Sequence, residues 1–263
     1  MSKIKIGLFG FGVVGEGLCQ VLEKVGTTNA EIKKICVRNI HKERSLPASC
    51  FTDRAEDIFS DPEINLIVEL IDDAEASYHI VTQALRQHIA VVTGNKKMLA
   101  YHLEELIALQ KETGTALLYD ASACGSIPVI RNLEEYYDNE LLISVKGILN
   151  GSSNFILSKI FNENMQYEEA LKKAQELGFA ESNPQFDVDG FDSLFKLVII
   201  AVHAVGTYVH PDRLLNYGIT NLNAYDIQLA REKGVRIKLV AQVEKLPDNK
   251  FTMFVLPQFI TKD

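Results

Sequence analysis

A glycine-rich turn near the start of the chain constrains the fold more than any other feature. Residues 5–9 are apolar enough for a buried strand, and Gly10, Gly12 and Gly15 follow in the spacing G-x-G-x-x-G before a helical pattern begins. Gly10 permits a tight turn, Gly12 lets backbone amides approach a pyrophosphate, and Gly15 lets the helix pack closely on the strand. The turn therefore predicts a dinucleotide-binding unit, and the alternative is a glycine turn that binds no ligand.

The first half of the chain alternates strand-like and helix-like segments, as expected for a parallel sheet that is covered on both faces. We predict helices at residues 15–25, 78–87 and 103–113, and strands at residues 5–9, 32–37, 65–70, 90–93 and 116–119. Right-handed crossovers make this an α/β fold with a Rossmann-type doubly wound parallel sheet, which binds its ligand at the carboxyl ends of the strands.

The pattern changes in the second half, and we place a domain boundary between a dinucleotide-binding domain, 1–133, and a substrate and dimerisation domain, 134–263. We predict strands at residues 142–149, 236–244 and 251–260, and helices at residues 154–161, 167–177 and 193–205. A serine after Asn150 is expected to cap the first of these helices. This order predicts an α+β domain whose helices pack on one face of a mixed or antiparallel sheet.

The end of the second predicted strand bears on the choice of cofactor. A ribose-binding acid is expected there for NAD, and an arginine for NADP. The sequence has no acid at this point, and Arg38 is available to meet a 2′-phosphate. NADP is therefore favoured over NAD, and the alternative is that Arg38 is a solvated residue after a strand.

A cluster of acids precedes an apolar helical segment in the second half. Asp192 and Lys196 are four residues apart, so a helix places them on one face, where they can converge on a small polar molecule. Glu181 and Asp187 lie in the loop just upstream. The alternative is an acidic first turn favoured by the helix dipole, with an ordinary surface ion pair.

Two lysines follow the strand predicted at residues 90–93. Lys96 and Lys97 fall at the edge where a Rossmann-type sheet binds its ligand. A lysine at this edge can meet a substrate beside the nicotinamide. A solvated strand end is the alternative interpretation.

Composition limits the classes of partner. The net charge is −8 over 263 residues, which argues against nucleic acid or an anionic membrane as the main partner and leaves small molecules. The chain has four scattered cysteines and no C-x-x-C pair, which suggests neither a zinc site nor a disulfide framework. We find neither a signal segment nor an apolar run of membrane-spanning length, so we expect a cytoplasmic protein.

Five motifs, taken together and in order, resemble those of homoserine dehydrogenases. They are the glycine turn, Val-Thr-Gly-Asn-Lys ending at Lys96, Tyr-Asp-Ala-Ser-Ala-Cys-Gly-Ser-Ile-Pro at 119–128, Ile-Leu-Asn-Gly-Ser-Ser-Asn-Phe-Ile at 148–156, and the segment 177–196. The resemblance covers nearly the whole chain. It extends to the homoserine dehydrogenase half of bifunctional aspartokinases, although we recognise no kinase segment in these 263 residues.

The resemblance implies reduction of L-aspartate 4-semialdehyde to L-homoserine with NADPH or NADH, on the route to threonine, methionine and isoleucine, by a homodimer. It implies that Lys196 donates a proton to the carbonyl oxygen and that Lys96 lies close to substrate and nicotinamide. The residue types suit this chemistry, because an aldehyde oxygen needs a proton as hydride reaches its carbon, and carboxylates can bind the substrate's ammonium group. Substrate contacts are implied for Glu181, Asp187, Asp192 and Gly151.

The resemblance also implies where the cofactor and a monovalent cation bind. The expected cofactor contacts are Gly10, Phe11, Gly12, Val13, Val14, Gly15, Arg38, Ile71, Thr93 and Lys96. A cation, typically sodium, is expected on the backbone carbonyls of Asp120, Ala123, Gly125 and Ile127. Glycines that are common in the family are replaced here by Cys124 and Ser126, which narrows the backbone angles available to that loop.

Other departures from the family leave alternatives open. Asp72 and Asp73 replace small residues close to the expected cofactor path, where an acid would weaken phosphate binding unless it points to solvent. Family members normally continue beyond the position of Asp263 with further strands and a closing segment, so the chain resembles a C-terminally incomplete member. The competing functions are another NADP-dependent reductase of a small carbonyl amino acid and a non-catalytic NADPH-binding paralogue.

Overall fold

The computed structural model describes residues 3–26 and 29–261, and the chain divides into two compact units, Met1–Gly125 and Ser126–Asp263. This division lies nearer the N-terminus than the boundary predicted after residue 133, which falls inside a helix. The assignment of cofactor and substrate roles to separate domains stays a prediction. The outer limits of the predicted domains, Met1 and Asp263, lie outside the described residues.

A six-stranded parallel sheet forms the centre of the first unit. Its strand order is β3-β2-β1-β4-β5-β6, so the chain starts in the middle and winds outward to both edges. This confirms the predicted Rossmann-type doubly wound sheet. The strands are β1 (Ile4–Phe9), β2 (Ala30–Cys36), β3 (Phe51–Thr52), β4 (Leu66–Glu69), β5 (Ala90–Thr93) and β6 (Leu117–Leu118).

Helices connect these strands and cover the sheet. They are α1 (Val13–Val25), α2 (Glu56–Phe59), α3 (Ala74–Arg86), α4 (Lys96–Thr113) and α5 (Asp120–Ala123), with a 3₁₀ turn at Ala48–Cys50. Helix α4 begins seven residues earlier than predicted, because the side chain of Asn95 accepts a hydrogen bond from Met98 N and caps it. Lys96 is the first residue of α4 and is half-buried, and its role beside a ligand stays a prediction.

Apolar side chains from neighbouring strands form the core beside the glycine turn. Leu8 and Ile35 are fully buried on β1 and β2, and Phe51 and Val68 extend the same cluster. Phe11 packs against this cluster, with its ring edge-on to that of Phe51. Phe11 therefore holds the glycine turn against the hydrophobic core.

The carboxylate of Glu69, at the end of β4, is fully buried. It accepts hydrogen bonds from the hydroxyl of Thr93 at 2.6 Å, from the backbone N–H of Ile71 at 2.7 Å, and from the hydroxyl of Ser77. Burial raises the pKa of Glu69 above its ordinary value, while the hydrogen bonds from Ser77 and Thr93 act in the opposite direction. One buried acid thus ties together the carboxyl ends of β4 and β5 and the first turn of α3.

The second unit places helices against a four-stranded mixed sheet, as the predicted α+β domain requires. Its sheet order is β7-β9-β10-β8, in which β9 is antiparallel to both neighbours and β8 is parallel to β10. The strands are β7 (Ser144–Gly147), β8 (Leu215–Asn216), β9 (Arg236–Leu246) and β10 (Lys250–Ile260). The helices are α6 (Val129–Tyr136), α7 (Gly151–Glu163), α8 (Tyr167–Glu176), α9 (Gln185–Val188), α10 (Phe191–Val205) and α11 (Ala224–Glu232), with 3₁₀ turns at Pro211–Arg213 and Pro247–Asn249.

The start of α7 differs from the prediction. The helix begins at Gly151, and its cap is Asn150, whose side-chain oxygen accepts from Ser153 N at 2.7 Å. The prediction of a serine cap is therefore wrong: asparagine is at least as good a cap, and it stands immediately before the helix. Along the described ranges, no helix is long and apolar enough to span a bilayer.

The hydrogen bonds to Glu69 predict a large effect on stability. We expect Glu69→Ala to lower the free energy of unfolding by about 3–5 kcal/mol, because two buried hydroxyls and the N–H of the half-buried Ile71 lose their acceptor. The matched control is Glu104→Ala, which removes an exposed glutamate from α4 and should change stability by less than about 0.5 kcal/mol. Denaturant unfolding measures both, and equal effects would contradict the role assigned to Glu69.

Candidate active site

The glycine turn has the backbone shape that a pyrophosphate site requires. Gly10 has a φ of 95°, and a Cβ at this position would lie 2.6 Å from the carbonyl oxygen of Leu70. A Cβ on Gly15 would lie 2.4 Å from the carbonyl oxygen of Gly10, so α1 packs directly on the turn. A Cβ on Gly12 would meet nothing within 4 Å. The turn is therefore closed on the protein side at Gly10 and Gly15 and open at Gly12.

The first residues of α1 complete this surface. Gly12 is the N-cap and has no side chain to bond the amides of the first turn. Val13 and Val14 are 92% and 65% exposed, so the helix start is open. Amides and the positive end of the helix dipole at such a terminus favour a phosphate group. These residues fit the pyrophosphate of a dinucleotide.

Arg38 and Asp73 lie near this turn. Arg38 follows β2, its side chain is 88% exposed, and its Nη2 lies 3.7 Å from Asp73 Oδ2. Asp73 caps α3, because its Oδ1 accepts from Ala76 N at 3.0 Å. Both acids that depart from the family pattern are exposed. Asp73 is also a helix cap and a partner of Arg38.

Hydrogen bonds link Ile71 and Thr93, two of the residues predicted to lie at the nicotinamide end, and continue to the start of α4. Ile71 N and the Thr93 hydroxyl both donate to Glu69. Asn95 Nδ2 donates to Ile71 O at 3.0 Å, and the cap made by Asn95 sets the first turn of α4, where Lys96 lies. Sequence reasoning missed Glu69 and Asn95. The signal for Asn95 was present, since an asparagine before a helical pattern is a typical N-cap.

The second unit brings Asp192 and Lys196 into contact. Lys196 Nζ donates to Asp192 Oδ2 at 2.7 Å and to the carbonyl oxygen of Leu149 at 2.8 Å. The Asp192 side chain is 6% exposed and that of Lys196 is 19% exposed, so the pair differs from an ordinary surface ion pair. The helical spacing predicted that these two side chains share one face of the helix, and the structure confirms it.

Asn150 joins this pair to Asp187. Its Nδ2 donates to Asp187 Oδ1 at 2.7 Å and to Asp192 Oδ2 at 3.0 Å. Ser152, the second residue of α7, has its Oγ 2.5 Å from the carbonyl oxygen of Phe179 and 2.9 Å from Asp187 Oδ2, so these two acceptors share its single hydroxyl proton. The neutral amide of Asn150 therefore holds the two carboxylates close together. Two carboxylates and one lysine leave this cluster with one net negative charge. Such a site suits a small molecule that carries an ammonium group.

The other predicted substrate residues lie nearby in the chain. Gly151 is the exposed first residue of α7, directly between Asn150 and Ser152. Glu181 is exposed, and its backbone carbonyl accepts from Gln175 Nε2 at 3.0 Å. Their contacts with a substrate stay predictions. The convergence of Lys96 with Lys196 also stays a prediction, because the two lysines belong to different units.

The predicted cation residues are divided between the units. Asp120 and Ala123 are the first and last residues of α5, Gly125 ends the first unit, and Ile127 belongs to the second. Within the described residues, no group of three or more His, Cys, Asp or Glu side chains could hold a metal ion. A cation in this segment would therefore depend on backbone carbonyls, and that site stays a prediction.

Comparisons with known proteins agree with this geometry. Residues 128–263 match the family model for homoserine dehydrogenase, and residues 10–120 match the model for the homoserine dehydrogenase NAD binding domain. A homoserine dehydrogenase of Helicobacter pylori is 38% identical over 254 residues, covering 94% of this chain and 60% of that protein. The chain thus spans about three fifths of the length of the curated relatives that it matches.

Solved structures give the same result. The crystal structure of a homoserine dehydrogenase from Thiobacillus denitrificans superposes with a TM-score of 0.92 at 34% identity, covering 100% of this chain and 62% of that one. A hyperthermophilic archaeal homoserine dehydrogenase mutant in complex with NADPH has a TM-score of 0.80 at 26% identity, with coverages of 99% and 83%. Family models match both units, and the folds agree over the whole chain. The chain therefore belongs to the homoserine dehydrogenase family.

Proposed function

We propose that this chain forms the catalytic part of a homoserine dehydrogenase, which interconverts L-aspartate 4-semialdehyde and L-homoserine with a nicotinamide cofactor. The proposal rests on the half-buried contact between Lys196 and Asp192, in a chain that has the fold of homoserine dehydrogenases. The expected cellular role is in the biosynthesis of threonine, methionine and isoleucine in the cytoplasm.

Lys196 acts as the proton donor. An ammonium group has three N–H donors, and two of them bond Asp192 and Leu149, which fixes the direction of the third. The bound cofactor supplies hydride to the aldehyde carbon. The carbonyl oxygen then gains electron density and takes the proton of Lys196, so the product is the hydroxyl of homoserine. In the reverse direction the neutral lysine accepts that proton.

The carboxylates hold the amino-acid part of the substrate. Asp187 accepts a hydrogen bond from Asn150 at one oxygen, and its other oxygen lies 2.9 Å from the Ser152 hydroxyl, so its orientation is set before a ligand binds. We assign the substrate's ammonium group to Asp187, with Glu181 as a further partner. Asp192 is committed to Lys196, and its role is to position that lysine.

The cofactor is proposed to lie along the glycine turn. The open face at Gly12 and the uncapped start of α1 support pyrophosphate binding there. Ile71, Thr93 and Lys96 would lie near the nicotinamide, and Arg38 near the adenosine ribose. Arg38 and the NADPH complex of the archaeal relative support NADP(H) over NAD(H). Phe11 would support the cofactor from beneath, because its ring packs on Phe51.

Two further features come from the family resemblance. A monovalent cation is proposed on the backbone carbonyls between Asp120 and Ile127. A homodimer is proposed through the mixed sheet. Leu215 on the edge strand β8 is exposed, which supports pairing of this sheet edge with another chain.

An activity assay on the full-length protein tests the proposal. L-homoserine with NADP⁺, in the absence of phosphate, should yield reduced nicotinamide, and L-aspartate 4-semialdehyde with NADPH should consume it. Turnover only with a different small carbonyl amino acid would identify another reductase. Bound NADPH without turnover of any such substrate would identify a non-catalytic paralogue.

Replacement of the proton donor should abolish most of the activity. We expect Lys196→Met to lower kcat by about 10²–10⁴-fold, with the Kd of NADPH changed less than about twofold. The matched control is Lys159→Met, which removes a lysine paired with an acid four residues away on α7 of the same unit. Steady-state kinetics measure both variants, and a near-normal kcat in Lys196→Met would remove this lysine from the mechanism.

Loss of the amide that joins the acids should weaken catalysis without loss of the helix cap. Asn150→Ser keeps a capping oxygen but removes the donor to Asp187 and Asp192, so we expect kcat/KM for homoserine to fall about 10- to 100-fold. Asn223→Ser is the control, because Asn223 caps α11 in the same way. Asn150→Ser should also unfold at a lower temperature than Asn223→Ser, because it leaves the buried Asp192 short of a donor, so both variants are assayed well below their unfolding temperatures. Equal kinetics would contradict the role of Asn150.

A further inference from the structure

The segments that carry Arg38 and Asp73 flank the glycine turn. Gly10 N donates to the carbonyl oxygen of Cys36, the last residue of β2. Leu70, the residue after β4, donates its N–H to the carbonyl oxygen of Phe9, the last residue of β1. The strand β1 lies between β2 and β4, so the residues that follow these two strands stand on opposite sides of the turn. The side chains of Arg38 and Asp73 meet from the two sides at 3.7 Å.

The carboxylate of Asp73 is fixed and charged. The N–H of Ala76 holds it as the cap of α3 and lowers its pKa, and the charges of Arg38 and Lys97 lower it further. Asp73 therefore carries a full negative charge at neutral pH. The exposed guanidinium of Arg38 can turn away, whereas Asp73 is held by its helix.

The two nicotinamide cofactors differ in the group that would meet this charge. NADP(H) carries a phosphate on the adenosine 2′-oxygen, and NAD(H) carries a neutral hydroxyl there. A 2′-phosphate that binds Arg38 shares the guanidinium with Asp73, whose carboxylate lies 3.7 Å from Arg38 Nη2 and is held in place as the helix cap. A 2′-hydroxyl meets no charge repulsion from this carboxylate.

We propose that Asp73 is a specificity-determining residue, which competes with the cofactor's 2′-phosphate for Arg38 and so lowers the preference for NADP(H). The inference rests on the proposed function, in that the glycine turn binds a nicotinamide dinucleotide. The pair is exposed and its charges are screened by water, so Asp73 reduces the affinity for NADP(H) without preventing its binding.

Nearby charges do not replace this contact. Asp72 is exposed and adjacent in sequence, but the ion pair with Arg38 is made by Asp73. Arg44 donates to the carbonyl oxygens of Lys42 and Asn39 and stacks over Phe51, so its guanidinium is held elsewhere. Asp72 therefore offers a matched control, with the same charge at the neighbouring position.

The experiment measures the Kd of NADPH and of NADH for three charge-removing substitutions, Asp73→Asn, Asp72→Asn and Arg38→Gln, and for the double variant Arg38→Gln with Asp73→Asn. In Asp73→Asn, the amide oxygen keeps the cap of α3, and we expect the Kd of NADPH to fall about three- to tenfold while that of NADH changes less than about twofold. Asp72→Asn should lower the Kd of NADPH by less than about twofold. In an Arg38→Gln background, Asp73→Asn should have a smaller effect on NADPH than in the wild type.

Each other outcome has a definite meaning. Equal effects of Asp72→Asn and Asp73→Asn would overturn the inference, because they would show only a change in net charge. Weaker NADH binding in Asp73→Asn would also overturn it and would make Asp73 a ribose ligand. An unchanged Kd for both cofactors overturns the inference and leaves the proposed function intact. If the wild type binds neither cofactor, both proposals fail.

Discussion

The buried carboxylate of Asp192 is the interaction on which the candidate catalytic site depends. It draws donors from two places that are distant in sequence, Lys196 on its own helix and Asn150 at the start of α7. A carboxylate with so little exposure is stable in a protein only when such donors surround it. The requirement to satisfy this charge therefore fixes the start of α7, the start of α10 and the lysine proposed to move the proton.

The first unit contains a comparable arrangement of a buried carboxylate and its hydrogen-bond donors. Glu69 is also a buried acid at the end of a structural element, and it also collects donors from segments that are separate in sequence. Its neighbours Ile71 and Thr93 are the residues expected beside the nicotinamide. In both units, a charge that would be costly to leave unpaired makes the surrounding backbone rigid, and rigid surroundings keep reacting groups oriented.

Local rules explain which parts of this account could be predicted from the sequence. The spacing of Gly10, Gly12 and Gly15 and the four-residue separation of Asp192 and Lys196 each depend on the geometry of one turn or one helix. Glu69 and the second role of Asn150 could not be found in this way, since the partners of Asn150 lie 37 and 42 residues away. The early start of α4 was missed because the cap formed by Asn95 was not recognised.

A crystal structure of the protein with L-homoserine and the oxidised cofactor tests the central claim most directly. The account predicts the homoserine hydroxyl oxygen within about 3 Å of Lys196 Nζ, with the contacts of that lysine to Asp192 and Leu149 retained. The amino group of homoserine should lie against Asp187. A bound homoserine whose hydroxyl lies out of hydrogen-bonding range of Lys196 would contradict the assignment of this lysine as the proton donor.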